Sequence, residues 1–236
     1  MRNSQSATRT SQNPSLTDEN LPGLLAHARW IAGGTGAGKS TVAHLLHDQY
    51  SVNVYRGDQA NLTWLPRCTP ELHPHMHSSA DLAGQPGAMW DDRTPEEVFR
   101  SMAGLHGETI GFVIEDVLAL PTDRIILVDW FGNLPRDIAP LLRRPEHAVF
   151  LVPTPEFRAE TLGARYADPD RARANWGDRD PAVMLAKRLA RDAFWDAEVR
   201  RQAADLGFDP ITVDGSRSPA DLAAEVAARF HLGAAA

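Results

Sequence analysis

The sequence predicts an α/β protein, a five-stranded parallel sheet with helices on both faces, and three observations predict it. Gly33-Gly34-Thr35-Gly36-Ala37-Gly38-Lys39-Ser40-Thr41 is a complete G-x-x-x-x-G-K-[ST] pattern. Apolar Trp30-Ile31-Ala32 stands before it, and Val42-Ala43-His44-Leu45-Leu46 follows at helical spacing. Five short apolar runs then alternate with helical stretches along the chain, the pattern of strands joined by right-handed crossovers. No internal repeat breaks that alternation, and 236 residues suit one large domain.

Residues 1–20 are rich in Ser, Thr, Asn and Gln and hold no apolar core of the kind a signal peptide needs. They are expected to form a disordered tail ahead of a domain over 21–236. Leu21, Leu24 and Leu25 mark a short helix beside a first strand at 28–32. The glycine loop comes next, and its helix runs to about Gln49. Residues 51–56 read as a second strand ending at Gly57-Asp58. Across 59–93, Pro66, Pro70, Pro74, Gly84, Pro86 and Gly87 interrupt any period. An irregular stretch that long inside a domain reads as a substrate-covering insertion.

Thr94-Pro95-Glu96-Glu97 is a helix start with a capping box. Apolar residues at helical spacing carry that helix toward Leu120, with Gly104, Gly107 and Gly111 as points where it breaks. Residues 124–129 form a strongly apolar third strand, buried on both faces, that ends in Asp129. A loop from Trp130 to Pro135, a short helix at 136–143 and a fourth strand at 148–152 follow. An Arg-rich segment leads to a long helix that Pro181 opens and Gly207 ends, then to a fifth strand at 210–214. Ser218 and Pro219 start the last helix, which runs to Phe230.

Composition narrows the function. The formal net charge of −7 counts against a polyanion as main partner, because nucleic-acid binding neutralises phosphates with a basic face. Cys68 is the only cysteine, so neither an internal disulfide nor a Cys₄ zinc site can form, and a reducing cytoplasm is the expected setting. No apolar run approaches the length of a membrane span.

The glycine loop carries the chemistry. Its glycines turn backbone N–H groups inward as an anion cradle, and the helix starting near Lys39 adds the positive end of its dipole. A triphosphate, ATP, fits that cradle. Lys39 reaches its β/γ-phosphates, Ser40 helps hold a bridging Mg²⁺, and Thr41 supports the neighbouring phosphate. Asp129, at a strand's end, is the second Mg²⁺ ligand in this reading, against the plainer possibility of a strand that merely ends in Asp. Glu115 and Asp116 compete for that role but fall within a helix.

Asp58 sits at a strand's carboxyl end, where open α/β sheets place their ligands, and is the candidate general base. A turn cap is the plainer role for it. Trp64, Arg67 and Trp130 are candidate acceptor contacts, with Trp90 as a further aromatic, although such residues also serve as loop anchors. Residues 156–191 hold many arginines interleaved with acids, either a lid over the γ-phosphate or a solvated, ion-paired surface. Arg165 and Arg173 are the first choices for catalysis there; Arg188 and Arg191 lie one helical turn apart. His73, His75 and His77 alternate, but only Glu71 adds to them, so no metal-ligand set is complete.

With these residues in place, the chain resembles the phosphate-loop kinases of small molecules, the broad group of adenylate, gluconate and shikimate kinases and chloramphenicol phosphotransferase. The resemblance spans about 28–230, and only the glycine loop is specific. It implies a three-layer α/β/α fold with strand order 2-3-1-4-5, a lid between the fourth and fifth strands, and transfer of the ATP γ-phosphate to a small-molecule acceptor. Asp58 matches the acidic residue that contacts the acceptor hydroxyl in chloramphenicol phosphotransferase and shikimate kinase. The turn Asp214-Gly215-Ser216 resembles the one flanking the adenine in these kinases.

The expectation is an ATP-dependent kinase acting on a hydroxyl of a metabolite, nucleoside or antibiotic. A nucleoside monophosphate kinase is the nearest rival, disfavoured because 59–93 offers only Arg67 and Arg93 for an acceptor phosphate. A non-catalytic ATP-binding regulator and a kinase of nucleic-acid ends would also use such a loop. Val128-Asp129-Trp130-Phe131-Gly132 satisfies a D-x-x-G pattern, but no Asn-Lys-x-Asp guanine reader accompanies it, which argues against a GTPase switch.

Overall fold

The computed structural model describes residues 20–82 and 84–233, so the expected tail at 1–20 lies, but for Asn20, outside the described residues. A first short helix, α1 (Leu21–Leu24), leads into β1 (Ala28–Gly33), the glycine loop and α2 (Lys39–Tyr50). Ser51 ends α2 in the left-handed region at φ 54°, so the second strand starts two residues later than the sequence suggests, as β2 (Asn53–Arg56).

Residues 59–93 differ from the irregular insertion expected. Helix α3 (Gly57–Trp64) begins on the heels of β2, a 3₁₀ turn continues it over Leu65–Arg67, α4 (Pro74–Ala80) follows, and another 3₁₀ turn covers Ala88–Trp90. The prolines that break the period do so by starting or ending short helices: Pro74 occupies the first position of α4 and Pro66 lies in the first 3₁₀ turn. Buried Trp64, Met76 and Trp90 anchor these pieces.

The 94–120 helix is divided. α5 (Pro95–Arg100) has the expected capping box between Thr94 and Glu97, a 3₁₀ turn spans Ala103–His106, and α6 (Ile110–Leu118) carries the apolar face. Gly104 and Gly107 account for the break, whereas Gly111 lies inside α6. At Gly104 the backbone comes so close to Gly132 that a Cβ would lie 3.1 Å from its Cα.

Next come β3 (Ile126–Asp129), α7 (Pro135–Ile138) with a 3₁₀ turn after it, and β4 (Ala148–Pro153). The expected Arg-rich segment is helical: α8 (Pro155–Tyr166), α9 (Pro169–Trp176) and the 26-residue α10 (Pro181–Leu206). The chain closes with β5 (Ile211–Val213) and α11 (Pro219–Arg229), whose Ser218–Asp221 capping box sets its start.

All strand pairs are parallel, in the order β2-β3-β1-β4-β5. Alternation along the strands sorts the core into two layers. Ile31, Leu127, Val149 and Leu151 face α2 and α11, where Val42, Leu46, Leu222 and Val226 are buried. Trp30, Val128 and Phe150 face the other way, toward Val113 of α6, Ile138 of α7 and Trp195 of α10. Both faces of the sheet are thus covered, as an all-parallel sheet requires. Among the described residues no helix is long and apolar enough to cross a membrane. Within α10, Asp192, Asp196 and Arg191 are buried charges.

A third cluster, Trp90, Val98, Ala172, Trp176 and Met184, joins the 86–93 segment and α5 to α9 and the start of α10. Arg179 pairs with Asp91 and donates to the Pro86 carbonyl at 2.6 Å. Lys187 donates to the carbonyls of Trp90 and Arg93 at 3.0 and 3.1 Å. The two segments flanking the carboxyl edge of the sheet are therefore fastened to each other.

Candidate functional site

The glycine loop leaves β1 where β1 lies between β3 and β4. Strand connections diverge to either side of β1 at that point, so a crevice opens beyond the strand ends. Glycine is needed because the loop runs against its neighbours: a Cβ on Gly34 would lie 2.6 Å from the Pro153 ring. Gly36 and Gly38 adopt φ 83° and 79°, which suits residues without a Cβ. The Gly34 N–H donates to the Leu151 carbonyl at 2.8 Å, tying the loop to β4.

From above, α8 and α10 hold the loop in place. The Trp195 indole donates to the Gly33 carbonyl at 3.3 Å, and Arg158 Nε donates to the Thr35 carbonyl at 3.3 Å. Arg158 is itself buried and paired with Asp196. An ion pair this deep costs desolvation, so its value lies in fixing the loop rather than in net stability.

Lys39, first residue of α2, is buried, and its ammonium donates to the Gly34 carbonyl at 2.7 Å. Burial lowers its pKa, while Asp129, Asp58 and Asp192 pull it back up. Asp129 ends β3 beside Ser40, whose hydroxyl is hydrogen-bonded to the carboxylate. Burial holds the Asp129 carboxyl above the ordinary carboxylate range, and the neighbouring Asp58 adds to that, against the pull of Ser40 and Lys39. Two acids beside one hydroxyl and one ammonium make a site that favours a cation.

Of the predicted residues, Thr35, Gly36, Gly38, Lys39, Ser40 and Thr41 line a crevice of about 200 Å³. Asp58, Asp129 and Arg165 line it with them. Gly33, Gly34 and Ala37 are buried beneath this surface and shape it. Asp58 is not at a free strand tip, however; it is the second residue of α3. Gly57 makes that possible, since a Cβ there would lie 2.6 Å from the Cβ of Trp130.

Other candidates fall elsewhere. Trp64 is fully buried, stacks on Phe112 with centroids 5.6 Å apart, and donates to Asp116 at 2.8 Å. Tyr55 donates to the same carboxylate at 2.7 Å, and burial with this bond raises its hydroxyl pKa strongly. Arg67 pairs with Glu115 and Asp116 and lies over Phe112. Trp64 and Arg67 are thus anchors of the 59–93 segment, the plainer of their two readings. Arg173 is exposed and paired with exposed Asp178, outside the crevice lining. Asp214 accepts from the Ser216 N–H and hydroxyl, and Gly215 lies against the Phe157 ring; neither lines the crevice. The His75 ring is bonded through Nδ1 to Glu108 at 2.6 Å and stacked on His106.

Trp130 lines a second, larger cavity of about 690 Å³. Phe131, next in sequence, lines both this cavity and the crevice. Asn61 and Leu65 also line it, three and seven residues beyond Asp58, so one face of the α3 turns leads from crevice to cavity.

Sequence reasoning noted Arg188 and Arg191 one helical turn apart without choosing either, and did not select Phe131, Asp192 or Asp196. Arg188 lines the crevice and is oriented by the Tyr166 hydroxyl at 2.8 Å and by Asp192 at 3.8 Å. The signal was the spacing Arg188, Arg191, Asp192, Asp196: charges at three- and four-residue intervals on one face of a helix that is otherwise apolar there.

No model of a known protein family matches the chain. No curated protein matches it either.

Proposed function

We propose that the protein is an ATP-dependent kinase that transfers the γ-phosphoryl group to a hydroxyl of a small molecule. The observation that carries this reading is the gathering of Lys39, Ser40, Asp58 and Asp129 on one crevice, with Arg165 and Arg188 in the same lining. The loop backbone and the start of α2 cradle the phosphates, and Lys39 leaves the Gly34 carbonyl for the β/γ-phosphates. Ser40 and Asp129 offer a hydroxyl and a carboxylate, the hard oxygen donors that suit Mg²⁺. Among the described residues no group of three or more His, Cys, Asp or Glu could form an all-protein metal cage, so phosphate oxygens and water would complete the coordination. Held there by Ser40 and Asp129, Mg²⁺ would supply charge neutralisation to the transferring phosphate.

Asp58 accepts the proton as the acceptor hydroxyl oxygen forms its bond to the γ-phosphorus. The bond to the β,γ-bridging oxygen breaks, and ADP leaves with that electron pair. Arg165 and Arg188 offset the charge on the transferring group. Residues 156–191 act as the lid, fastened to the acceptor side through Arg179 and Lys187. An acceptor phosphate would need free guanidinium groups, and Arg67 is already engaged with Glu115 and Asp116, which favours a hydroxyl acceptor over a nucleoside monophosphate.

The test is Asp58→Asn assayed with radiolabelled ATP against a panel of hydroxyl compounds, beside calorimetric ATP affinity. Loss of a general base predicts turnover lower by about 10²–10⁴ with ATP affinity retained. Unchanged turnover would remove Asp58 from catalysis. ATP binding with no acceptor-dependent turnover anywhere in the panel would make the protein a regulator instead.

A further inference from the structure

The cavity that shares Phe131 with the crevice describes its occupant. Met76, Met89 and Met102 contribute flexible, polarizable walls, and Trp130 and Phe131 contribute ring faces. Its volume of about 690 Å³ sits within the roughly 300–1,000 Å³ typical of sites that enclose drug-sized ligands. Charge is scarce in the lining. No carboxylate belongs to it, so nothing there attracts a polycation. Of its two arginines, Arg191 is neutralised by Asp192 at 2.6 Å, whereas Arg93 keeps its charge while donating to the Glu97 carbonyl at 2.8 Å. His75 is held by Glu108, whose carboxylate also accepts the Met76 N–H at 2.9 Å. The lining thus has no carboxylate for a cation, and Arg93, turned to the Glu97 carbonyl, is its one guanidinium without a carboxylate partner among the ion pairs of the described residues.

We infer that the phosphoryl acceptor is a neutral, mainly apolar, ring-bearing alcohol or phenol that lies along α3 in this cavity, its hydroxyl toward Asp58 and Asn61 beside its next polar group. This rests on the kinase reading for the word acceptor, but not for the chemistry of the ligand. Polar sugars and nucleotides would set many of their hydrogen-bonding groups against methionine and aromatic carbon, because the lining is mainly apolar in area although polar side chains are spaced along it.

Fluorescence titration of the full chain with 2-naphthol, a neutral aromatic hydroxyl compound, tests the inference, with AMP and glucose as competitors. Two variants accompany it. Met102→Glu puts a carboxylate on the cavity wall, and Ser79→Trp fills the cavity from an exposed position on α4. Saturable 2-naphthol binding is expected, weakened at least about tenfold by either folded variant and not displaced by millimolar AMP or glucose. ATP affinity, measured separately by calorimetry, stays at the wild-type value in Ser79→Trp. No saturable binding, binding unchanged in Ser79→Trp, or displacement by AMP or glucose would overturn the inference. If ATP fails to bind while 2-naphthol binds as described, the kinase reading falls and the ligand chemistry stands. If ATP binds and 2-naphthol does not, only the present inference falls.

Discussion

Gly57 is the hinge between β2 and the helix that presents Asp58, and replacing it with alanine measures how tightly that helix is seated. A Cβ at this position would lie 2.6 Å from the Trp130 Cβ and 2.7 Å from its Cδ2 and Cε3. These atoms belong to the root and inner ring of a buried side chain, in edge contact with Trp64 at 5.5 Å, so the indole cannot swing clear. Overpacking of this kind costs about 1–3 kcal/mol. Loss of glycine's freedom in the unfolded chain returns about 0.4–1 kcal/mol, because Gly57 does not need a positive φ. The net loss is about 1.5 kcal/mol, which lowers the melting temperature by about 3–6 °C in a chain of this size. Gly163, inside α8 with nothing within 4 Å of an added Cβ, is the control, and Gly163→Ala should stabilise by about 0.5–1 kcal/mol. Calorimetric melting of both variants, with guanidinium titrations beside it, reads the difference. In turnover assays Gly57→Ala should raise KM for the acceptor, since Trp130 lines the cavity, while ATP affinity holds. A Gly57→Ala protein as stable as Gly163→Ala would refute the packing argument.

Three further outcomes follow from the same geometry. Arg188→Ala should lower turnover by about 10²–10³ with little change in acceptor KM, as expected for a group that offsets charge in the transition state; equal loss in Arg173→Ala would contradict the placement of these arginines. Trp64→Phe keeps the ring contacts with Phe112 and Trp130 but deletes one donor to Asp116, and should cost about 1 kcal/mol in denaturant unfolding with turnover unchanged; a selective rise in acceptor KM would return Trp64 to the site. The hydrogen bond from Arg179 holds the Asp91 carboxyl below its ordinary range, so this link contributes in full above about pH 4 and is lost as pH falls through the depressed value. Asp91→Asn should reproduce that loss at pH 7, with faster amide exchange across 86–93 by mass spectrometry; unchanged exchange would show that the Arg179–Asp91 pair adds nothing to the fastening of the two segments.

The sheet was legible because its signals are local. Each strand is an apolar run between helical patterns, and capping residues at Thr94 and Ser218 fix helix starts on their own. The order 2-3-1-4-5 came from the resemblance, and the pairing agrees with it. The glycine loop and Asp129 were legible for the same local reason. What escaped the sequence depends on distant contacts. Residues 59–93 looked irregular because their helices are short and prolines begin them, so no window is long enough to show a period. Trp64 and Arg67 looked available because nothing nearby in sequence reveals that Asp116, about fifty residues on, engages both. Arg173 and Arg188 are indistinguishable by composition. Only the packing of α8 against α10 separates the one paired in solvent with Asp178 from the one facing the glycine loop.

Calorimetric titration of the wild-type chain and Lys39→Met with ATP, with and without Mg²⁺, tests the claim that the glycine loop grips a triphosphate beside Asp58. The account predicts Mg²⁺-dependent binding to the wild type and at least tenfold weaker binding to a folded Lys39→Met protein. No heat of binding from the wild type, or equal affinity in the two proteins, would contradict it.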